Sequence, residues 1–130
     1  MNEGVDGQEK TIFQQKRKLR GVGLLRNRGV LLVLSENFFG ASFTIRESMT
    51  VIGRKARCDI HVDDPLVSKV HCVITADGEG DFFIEDLGST NSTFVNRREV
   101  QKKMQIFYGD RIVIGNTILR FFLEEKAGSR

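Results

Sequence analysis

The sequence has little of what several large classes of protein require. Its 130 residues include one proline, no tryptophan and only two cysteines, Cys58 and Cys72. Two cysteines are too few for a disulfide framework, which favours a cytoplasmic location. No run approaches the roughly 20 consecutive apolar residues of a membrane-spanning helix, and the N-terminal segment lacks the apolar centre of a secretion signal. We therefore expect no contact with a membrane.

Positive charge is concentrated near the N-terminus. Residues 1–28 contain seven Lys or Arg and three Asp or Glu, a net charge of +4, whereas residues 29–130 contain thirteen and fourteen, a net charge of −1. A basic tail of this kind can bind nucleic acid or an anionic surface. No aromatic residues are interleaved with the basic ones for stacking on bases. The pattern favours a solvated leader over a nucleic-acid-binding arm, although the second function class stays open.

The chain divides into three segments by composition. Residues 1–27 are polar and charged with little periodicity, which predicts a flexible basic tail. Residues 28–124 carry most of the apolar side chains and are predicted to form the folded domain. Residues 125–130 are polar and resemble the start of a linker or a C-terminal tail.

Short strands are predicted throughout the central segment, which has nine runs rich in Val, Ile, Phe and Thr. These runs are GVLLVLS (29–35), ASFTIR (41–46), MTVIGR (49–54), CDIHV (58–62), KVHCVIT (69–75), DFFIED (81–86), STFVN (92–96), DRIVIG (110–115) and TILRFFLE (117–124). Turn signals separate them, and Gly115-Asn116 is typical of a tight hairpin. This pattern predicts an all-β fold, an antiparallel sandwich or barrel.

Polar residues gather in the predicted loops, in the stretches 53–59, 66–71, 86–96 and 96–99. Their donors belong to Arg54, Arg57, Ser68, Lys69, Ser89, Thr90, Asn91 and Arg97. Guanidinium groups match the oxygens of a phosphate in a planar fork, and hydroxyl and backbone N–H groups complete such a shell. The loops of a sandwich meet at its ends, where binding residues usually lie. The inventory therefore favours a site for a doubly charged anion.

Four motifs make a family resemblance specific. They are VIGR (51–54), CDIHVDDPLVSKVHCVI (58–74), FFIEDLGSTNSTFVNRREV (82–100) and YGDRIVIG (108–115). In this order and spacing they resemble a forkhead-associated (FHA) domain. The resemblance implies a SMAD-like β-sandwich of about 10–11 short strands and a non-enzymatic module that binds phosphothreonine peptides, with no cofactor.

The resemblance also implies roles for individual residues. Arg54 would hold the phosphate, the Ser68 hydroxyl would donate to it, and the backbone N–H of Lys69 would assist. Gly53 and His71 would support the site, with His71 connecting the binding loops. Lys69 stands where the family more often has arginine, which is a mild departure.

The Ser-Thr-Asn turn would contact the peptide itself. Thr90 would lie beside the phosphothreonine, Asn91 would hydrogen-bond the main chain of the peptide, and Asn96 would lie near it. Ser92 stands where the family nearly always has glycine. If the backbone there has a positive φ, a side chain costs about 1 kcal/mol.

Other chemistries fit these residues less well. Ser68, His71 and Asp86 are the residue types of a hydrolase triad, but Ser68 and His71 open one strand with no nucleophile elbow. The possible zinc ligands are Cys58, His61, His71 and Cys72. His71 and Cys72 are neighbours on a predicted strand and should point to opposite faces. We therefore expect neither catalysis nor a metal.

One threonine suggests regulation. Thr11 is the only threonine in the predicted tail. The hypothesis is that a Ser/Thr kinase phosphorylates Thr11 and that the tail then occupies the pocket of its own domain. The alternatives are an unmodified leader and a phosphorylated Thr11 that binds another molecule. The chain is expected to bind a phosphothreonine protein or its own tail, and could control an attached effector domain.

Overall fold

The computed structural model describes residues 3–19 and 27–125 of the chain. Within these ranges one α-helix precedes eleven strands, and a short 3-10 helix at Glu36–Phe38 joins the first two strands. The elements are α1 (Glu3–Leu19), β1 (Asn27–Val33), β2 (Ser42–Ile45), β3 (Met49–Gly53), β4 (Ile60–His61), β5 (Cys72–Ala76), β6 (Phe82–Asp86), β7 (Thr93–Val95), β8 (Arg98–Glu99), β9 (Met104–Ile106), β10 (Arg111–Ile114) and β11 (Thr117–Glu125).

The strands form two sheets, which confirms the predicted sandwich. The first sheet has the order β2-β1-β11-β10-β7-β8 and the second has the order β4-β3-β5-β6-β9. Neighbouring strands are antiparallel except β3 and β4, which are parallel. The predicted hairpin is present between β10 and β11, where Ile114 pairs with Thr117 and Gly115 has a φ of +56°.

The hydrophobic core lies between the two sheets. Phe82 of β6 and Phe121 of β11 meet there with their ring centroids 5.3 Å apart, one ring from each sheet. Strand β3 is buried along its whole length. Because side chains alternate along a strand, Ile52 faces the core while Met49 and Val51 pack on the opposite side.

Helix α1 covers that opposite side, which corrects the prediction of a flexible tail for residues 3–19. Glu9, Ile12, Phe13 and Lys16 are buried and share one helical face at the spacing i, i+3, i+4, i+7. Only two of them are apolar, so the helical period is faint in the sequence. Burying an Ile or a Phe contributes roughly 1.5–3 kcal/mol, which stabilises the docked helix.

One positive charge of the basic segment is paired within the folded domain. Lys16 is buried, and its Nζ lies 2.8 Å from Glu47 Oε1 and 3.3 Å from Asp59 Oδ1. This charge is therefore neutralised within the domain. Residues 1–2, 20–26 and 126–130, which complete the predicted tails, lie outside the described residues. Among the described elements, no helix has an apolar stretch long enough to cross a bilayer.

Candidate binding site

Three loops meet where β3, β5 and β6 of the second sheet end or begin. Strand pairing places Ile52 opposite Cys72, and Cys72 opposite Asp86. The end of β3, the start of β5 and the end of β6 therefore lie side by side. The β3–β4, β4–β5 and β6–β7 loops are connected to these strand ends. They carry most of the polar residues singled out in the sequence.

Arg54 is held in place at the start of the β3–β4 loop. Its backbone N–H donates to the carbonyl of Ser68 at 3.0 Å, and its Nε–H donates to the carbonyl of Val67 at 2.9 Å. The side chain is exposed, and no carboxylate of the described residues pairs with it. Since the Nε–H is one of five guanidinium donors, the terminal nitrogens can still bind an anion.

Gly53 allows the β4–β5 loop to approach the end of β3. A Cβ atom at this position would lie 2.3 Å from the backbone oxygen of Lys69, which is far inside van der Waals contact. The same carbonyl accepts hydrogen bonds from the backbone N–H of Lys55 at 3.0 Å and from the Sγ of Cys58 at 3.3 Å. Glycine is therefore required for the approach of these loops, while the Lys69 side chain is exposed.

His71 connects two of the loops through both ring nitrogens. The backbone N–H of Ser68 donates to Nδ1 at 3.0 Å, so Nδ1 is the acceptor and Nε2 carries the proton. Nε2 then donates to the carbonyl of Ser92 at 2.8 Å. The residue is fully buried. Burial lowers the pKa of His71, against the smaller opposing effect of the Ser92 carbonyl, so the ring is neutral near pH 7.

The Ser68 side chain faces the β6–β7 loop. Its hydroxyl oxygen accepts a hydrogen bond from the backbone N–H of Thr90 at 3.0 Å. A hydroxyl has one proton to donate in addition, and that proton can serve an anion held by Arg54. Thr90 itself is exposed beside it.

Asp86 organises the β6–β7 loop, a role that the sequence reasoning missed. Its Oδ1 accepts from the backbone N–H of Ser89 at 2.8 Å, and its Oδ2 accepts from the hydroxyls of Ser89 at 2.6 Å and Thr93 at 2.7 Å. An Asp side chain often accepts hydrogen bonds from backbone N–H groups a few residues ahead in a turn, and Ser89 lies three residues after Asp86. That spacing was visible in the sequence.

The end of this loop combines an exposed amide with an unusual backbone conformation. Asn91 is exposed and donates through Nδ2 to the carbonyl of Leu66 at 3.0 Å, which orients the amide across two loops. Ser92 has a φ of +66°, the left-handed conformation considered in the sequence analysis. Its hydroxyl donates to Glu99 Oε2 at 3.0 Å.

Asn96 makes its hydrogen bonds within the domain. It has a φ of +48° and is followed by Arg97 at +70° in the turn between β7 and β8, the pattern of a type I′ hairpin. Its Nδ2 donates to Asp110 Oδ1 at 2.9 Å, and its Oδ1 accepts from the backbone N–H of Arg111 at 3.0 Å. These bonds connect the turn to the start of β10, so the structure gives Asn96 a different set of contacts from Arg54 and Ser68.

The geometry does not assemble a hydrolase triad. His71 Nδ1 accepts from the backbone of Ser68, not from its hydroxyl, and Asp86 bonds Ser89 and Thr93. Burial raises the pKa of the Cys58 thiol to about 11. In the part of the chain that the structure describes, no three His, Cys, Asp or Glu side chains are grouped to hold a metal ion.

Known proteins resemble this chain in sequence. A sequence model described as "FHA domain" matches residues 50–115, more than half of the chain. The glycogen accumulation regulator GarA of Mycolicibacterium smegmatis is 33% identical over 105 residues, which is 81% of this chain and 65% of GarA. The oxoglutarate dehydrogenase inhibitor of Corynebacterium efficiens is 39% identical over 82 residues, 63% of this chain and 56% of the inhibitor. The chain thus spans less than two thirds of either relative.

The fold is likewise similar to a solved structure. A domain from a structural and functional study of phosphothreonine-dependent FHA domain interactions superposes with a TM-score of 0.69 and 28% sequence identity. The match covers 76% of this chain and 99% of that domain.

Proposed function

This chain belongs to the FHA-domain family, and we propose that it is a non-enzymatic module that binds a phosphothreonine-containing segment of a partner protein. The observation that carries the proposal is the arrangement around Arg54. An exposed guanidinium, the hydroxyl of Ser68 and the amide of Asn91 come from three different loops, each held by hydrogen bonds. This set of donors suits a phosphate and the extended backbone beside it.

Each residue has a distinct role in this proposal. Arg54 holds the phosphate with its terminal nitrogens, and Ser68 donates its hydroxyl proton to the same group. The backbone N–H of Lys69 assists. Thr90 lies beside the methyl group of the phosphothreonine, and Asn91 hydrogen-bonds the main chain of the peptide.

Asn96 and the two supporting residues act less directly. Gly53 and His71 keep the loops at their present spacing. Asn96 is proposed to lie near the bound peptide, and its present bonds to Asp110 and Arg111 mean that it contributes by holding the turn.

The magnitude of binding follows from the number of donors. A hydrogen bond to a charged group contributes roughly 1.5–3 kcal/mol. Two or three such bonds, together with main-chain contacts, give a Kd of order micromolar, about −8 kcal/mol. Calorimetry with a phosphothreonine peptide selected from a library, and with its unphosphorylated form, tests the proposal. Equal affinity for both forms would refute it.

The biological partner is proposed from the relatives. One is named as a regulator of glycogen accumulation and another as an inhibitor of a dehydrogenase. By analogy, this chain captures a phosphorylated protein downstream of a Ser/Thr kinase in the cytoplasm, and so regulates that protein or an attached effector domain.

A second proposal concerns Thr11 as a ligand of its own domain. Thr11 is exposed on α1 and lines a cavity of about 260 Å³ together with Met49, Val73 and Glu85. A phosphate added to Thr11 would share this cavity with the Glu85 carboxylate and with apolar side chains, which destabilises docking of the helix. Release of α1 would free the segment to enter the pocket of Arg54 in an extended form.

A further inference from the structure

Helix α1 binds the loop that carries Arg54 at three points. Glu9 Oε1 lies 2.7 Å from the Nζ of Lys55, and the guanidinium of Arg57 lies 4.2 Å from the centroid of the Phe13 ring. Lys16 Nζ lies 3.3 Å from Asp59 Oδ1. The loop residues concerned alternate along the chain directly after Arg54.

Apolar contacts extend this interface to the second phosphate-binding loop. Ile12 and Phe13 belong to one buried cluster with Cys58 of the β3–β4 loop and Val70 of the β4–β5 loop. The Sγ of Cys58 also donates to the carbonyl of Lys69 at 3.3 Å. The helix therefore packs against the loop of Arg54 and the loop of Ser68 at once.

Two buried charges fix how the helix docks. Glu9 is 6% exposed and Lys16 is 5% exposed. Lys16 is paired with Glu47 and Asp59 and also donates to the carbonyl of Met49 at 2.9 Å. A shift of the helix by one residue would leave these charges buried without partners, which is strongly unfavourable. The docked register is thus specific.

We propose that docked α1 is a positioning element of the phosphopeptide site: it holds the β3–β4 loop so that Arg54 is already oriented when the peptide arrives. The inference rests on the proposed function of that site. Ordering a loop when the peptide binds costs free energy, and a loop that is already ordered avoids this cost. Hydrogen bonds to the carbonyls of Val67 and Ser68 hold Arg54 itself. The contacts of α1 add order to the residues that follow it in the same loop, which are Lys55, Arg57 and Asp59.

The first test changes the apolar contact in the full chain. Ile12→Asp places a charge in the buried cluster and should release the helix, while Phe13→Ala should do so in part. We expect Ile12→Asp to weaken binding of a phosphothreonine peptide about tenfold. This corresponds to about 1.4 kcal/mol, comparable with the conformational entropy of one ordered backbone residue. The conservative variant Ile12→Val should retain the wild-type Kd. The matched control is Gln14→Ala, on the exposed face of the helix.

The second test uses the wild-type chain and the reciprocity of coupled equilibria. If docking strengthens peptide binding, the peptide must strengthen docking. Hydrogen exchange at the α1 amides should then slow when the phosphothreonine peptide is added. A ligand also slows every amide that exchanges through global unfolding, so the α1 amides to follow are those that exchange by local undocking. In a helix that only adds stability, the exchange of these amides would not change. In Ile12→Asp without peptide, exchange at residues 54–59 should quicken.

The outcomes separate this inference from the proposed function. A wild-type chain that binds phosphopeptide, with an unchanged Kd in a folded Ile12→Asp variant or unchanged α1 exchange on binding, would overturn the positioning role alone. A wild-type chain that binds no phosphopeptide would remove the proposed function and this inference together. Slower α1 exchange on binding with a weaker Kd in Ile12→Asp would support both.

Discussion

The backbone N–H of Thr90 donates to the side-chain hydroxyl of Ser68 across two loops, with 3.0 Å between nitrogen and oxygen. The backbone N–H of Ser68 in turn donates to His71, and the opposite ring nitrogen of His71 donates to the carbonyl of Ser92. Ser68 is thus both a ligand candidate and a structural link. The Thr90–Ser68 and His71–Ser92 hydrogen bonds join the β4–β5 and β6–β7 loops. They fix the spacing between the proposed phosphate site and the Asn91 amide.

Replacing Arg54 tests the centre of the site. We expect Arg54→Ala to weaken phosphothreonine-peptide binding by at least about 2 kcal/mol, because the charged hydrogen bonds from the guanidinium are lost. Calorimetry measures the change. Arg120→Ala is the matched control, since Arg120 is an exposed arginine on the other sheet. Wild-type affinity in Arg54→Ala would show that the phosphate binds elsewhere.

Discrimination between phosphorylated residues tests the shape of the pocket. Phosphothreonine and phosphoserine differ by one methyl group, from which a shaped apolar pocket can gain roughly 1–3 kcal/mol. We expect phosphothreonine to bind more tightly by an amount in this range. A glutamate peptide should fail to bind, because it has less charge and a different oxygen geometry. Competition titrations with the three peptides measure the order, and equal affinities would mean that the site reads charge alone.

Most of the sandwich could be predicted from the sequence, because most of its strands lie within apolar runs that turn signals separate. All nine predicted runs contain or overlap a strand. β8 and β9 were not located, because β8 consists of two exposed charged residues and β9 has three residues in a polar stretch. Helix α1 was missed for another reason. Among the α1 residues whose burial is described, two of the four buried ones are Glu9 and Lys16, and only tertiary ion pairs make the burial of such residues favourable.

The site could be predicted in part. Motif spacing brought out Arg54 and Ser68, whose loops do meet in the structure. The role of Asp86 depends on three hydrogen bonds, two to Ser89 and one to Thr93. The local sequence indicates only the spacing between Asp86 and Ser89. The contacts of Asn96 with Asp110 and Arg111 join positions fourteen and fifteen residues away, which no local pattern reveals.

Ser92 provides a test of backbone strain. Its φ of +66° disfavours a side chain by about 1–2 kcal/mol, whereas its hydrogen bond to Glu99 contributes about 0.5–1.5 kcal/mol. Ser92→Gly removes the backbone strain as well as the hydrogen bond, whereas Ser92→Ala removes the hydrogen bond and keeps the strain. We therefore expect Ser92→Gly to be about 1 kcal/mol more stable than Ser92→Ala in urea denaturation. The reverse order would mean that the conformation is not strained in solution.

His71 should make stability depend on pH. Burial lowers its pKa below the ordinary value of 6.5, so below about pH 6.5 the unfolded chain binds a proton that the folded chain does not. The contribution of the neutral ring is complete above that pH. It is lost as the pH falls from about 6.5 to the lower pKa of the folded state, with a slope of up to about 1.4 kcal/mol per pH unit.

The variant His71→Gln isolates this effect, because glutamine does not titrate. Urea denaturation of both proteins at several pH values between about 5 and 7.5 measures the two slopes. The wild type should lose stability faster on acidification than His71→Gln, although the variant is less stable at neutral pH. Parallel curves would contradict a buried neutral histidine.

Thr11 provides the test of self-binding, in which the docked helix α1 competes with the same segment bound in an extended form at Arg54. Fifteen residues separate Thr11 from Asn27 at the start of β1, and a chain of that length reaches at most about 50 Å, beyond the radius of gyration of about 13 Å for a domain of 100 residues. A short tether gives an effective concentration of order millimolar. Against a micromolar site this favours self-capture about a thousandfold, roughly 4 kcal/mol. The loss of helix docking, and the roughly tenfold weaker site expected once α1 is undocked, have still to be subtracted.

An NMR titration of the full chain with a phospho-Thr11 peptide of residues 5–18 measures the intrinsic interaction. We expect shifts at Arg54, Ser68 and Asn91, and none with the unphosphorylated peptide. A full chain phosphorylated on Thr11 should also bind an external phosphothreonine peptide much more weakly than the Thr11→Ala variant, because its pocket is already occupied. If phosphorylation releases α1 without self-capture, the α1 amides will exchange faster, and the affinity for external peptide will fall only by about the tenfold expected for Ile12→Asp, not by the larger factor that an occupied pocket requires. That result would leave Thr11 as a site that controls docking and would end its assignment as a ligand.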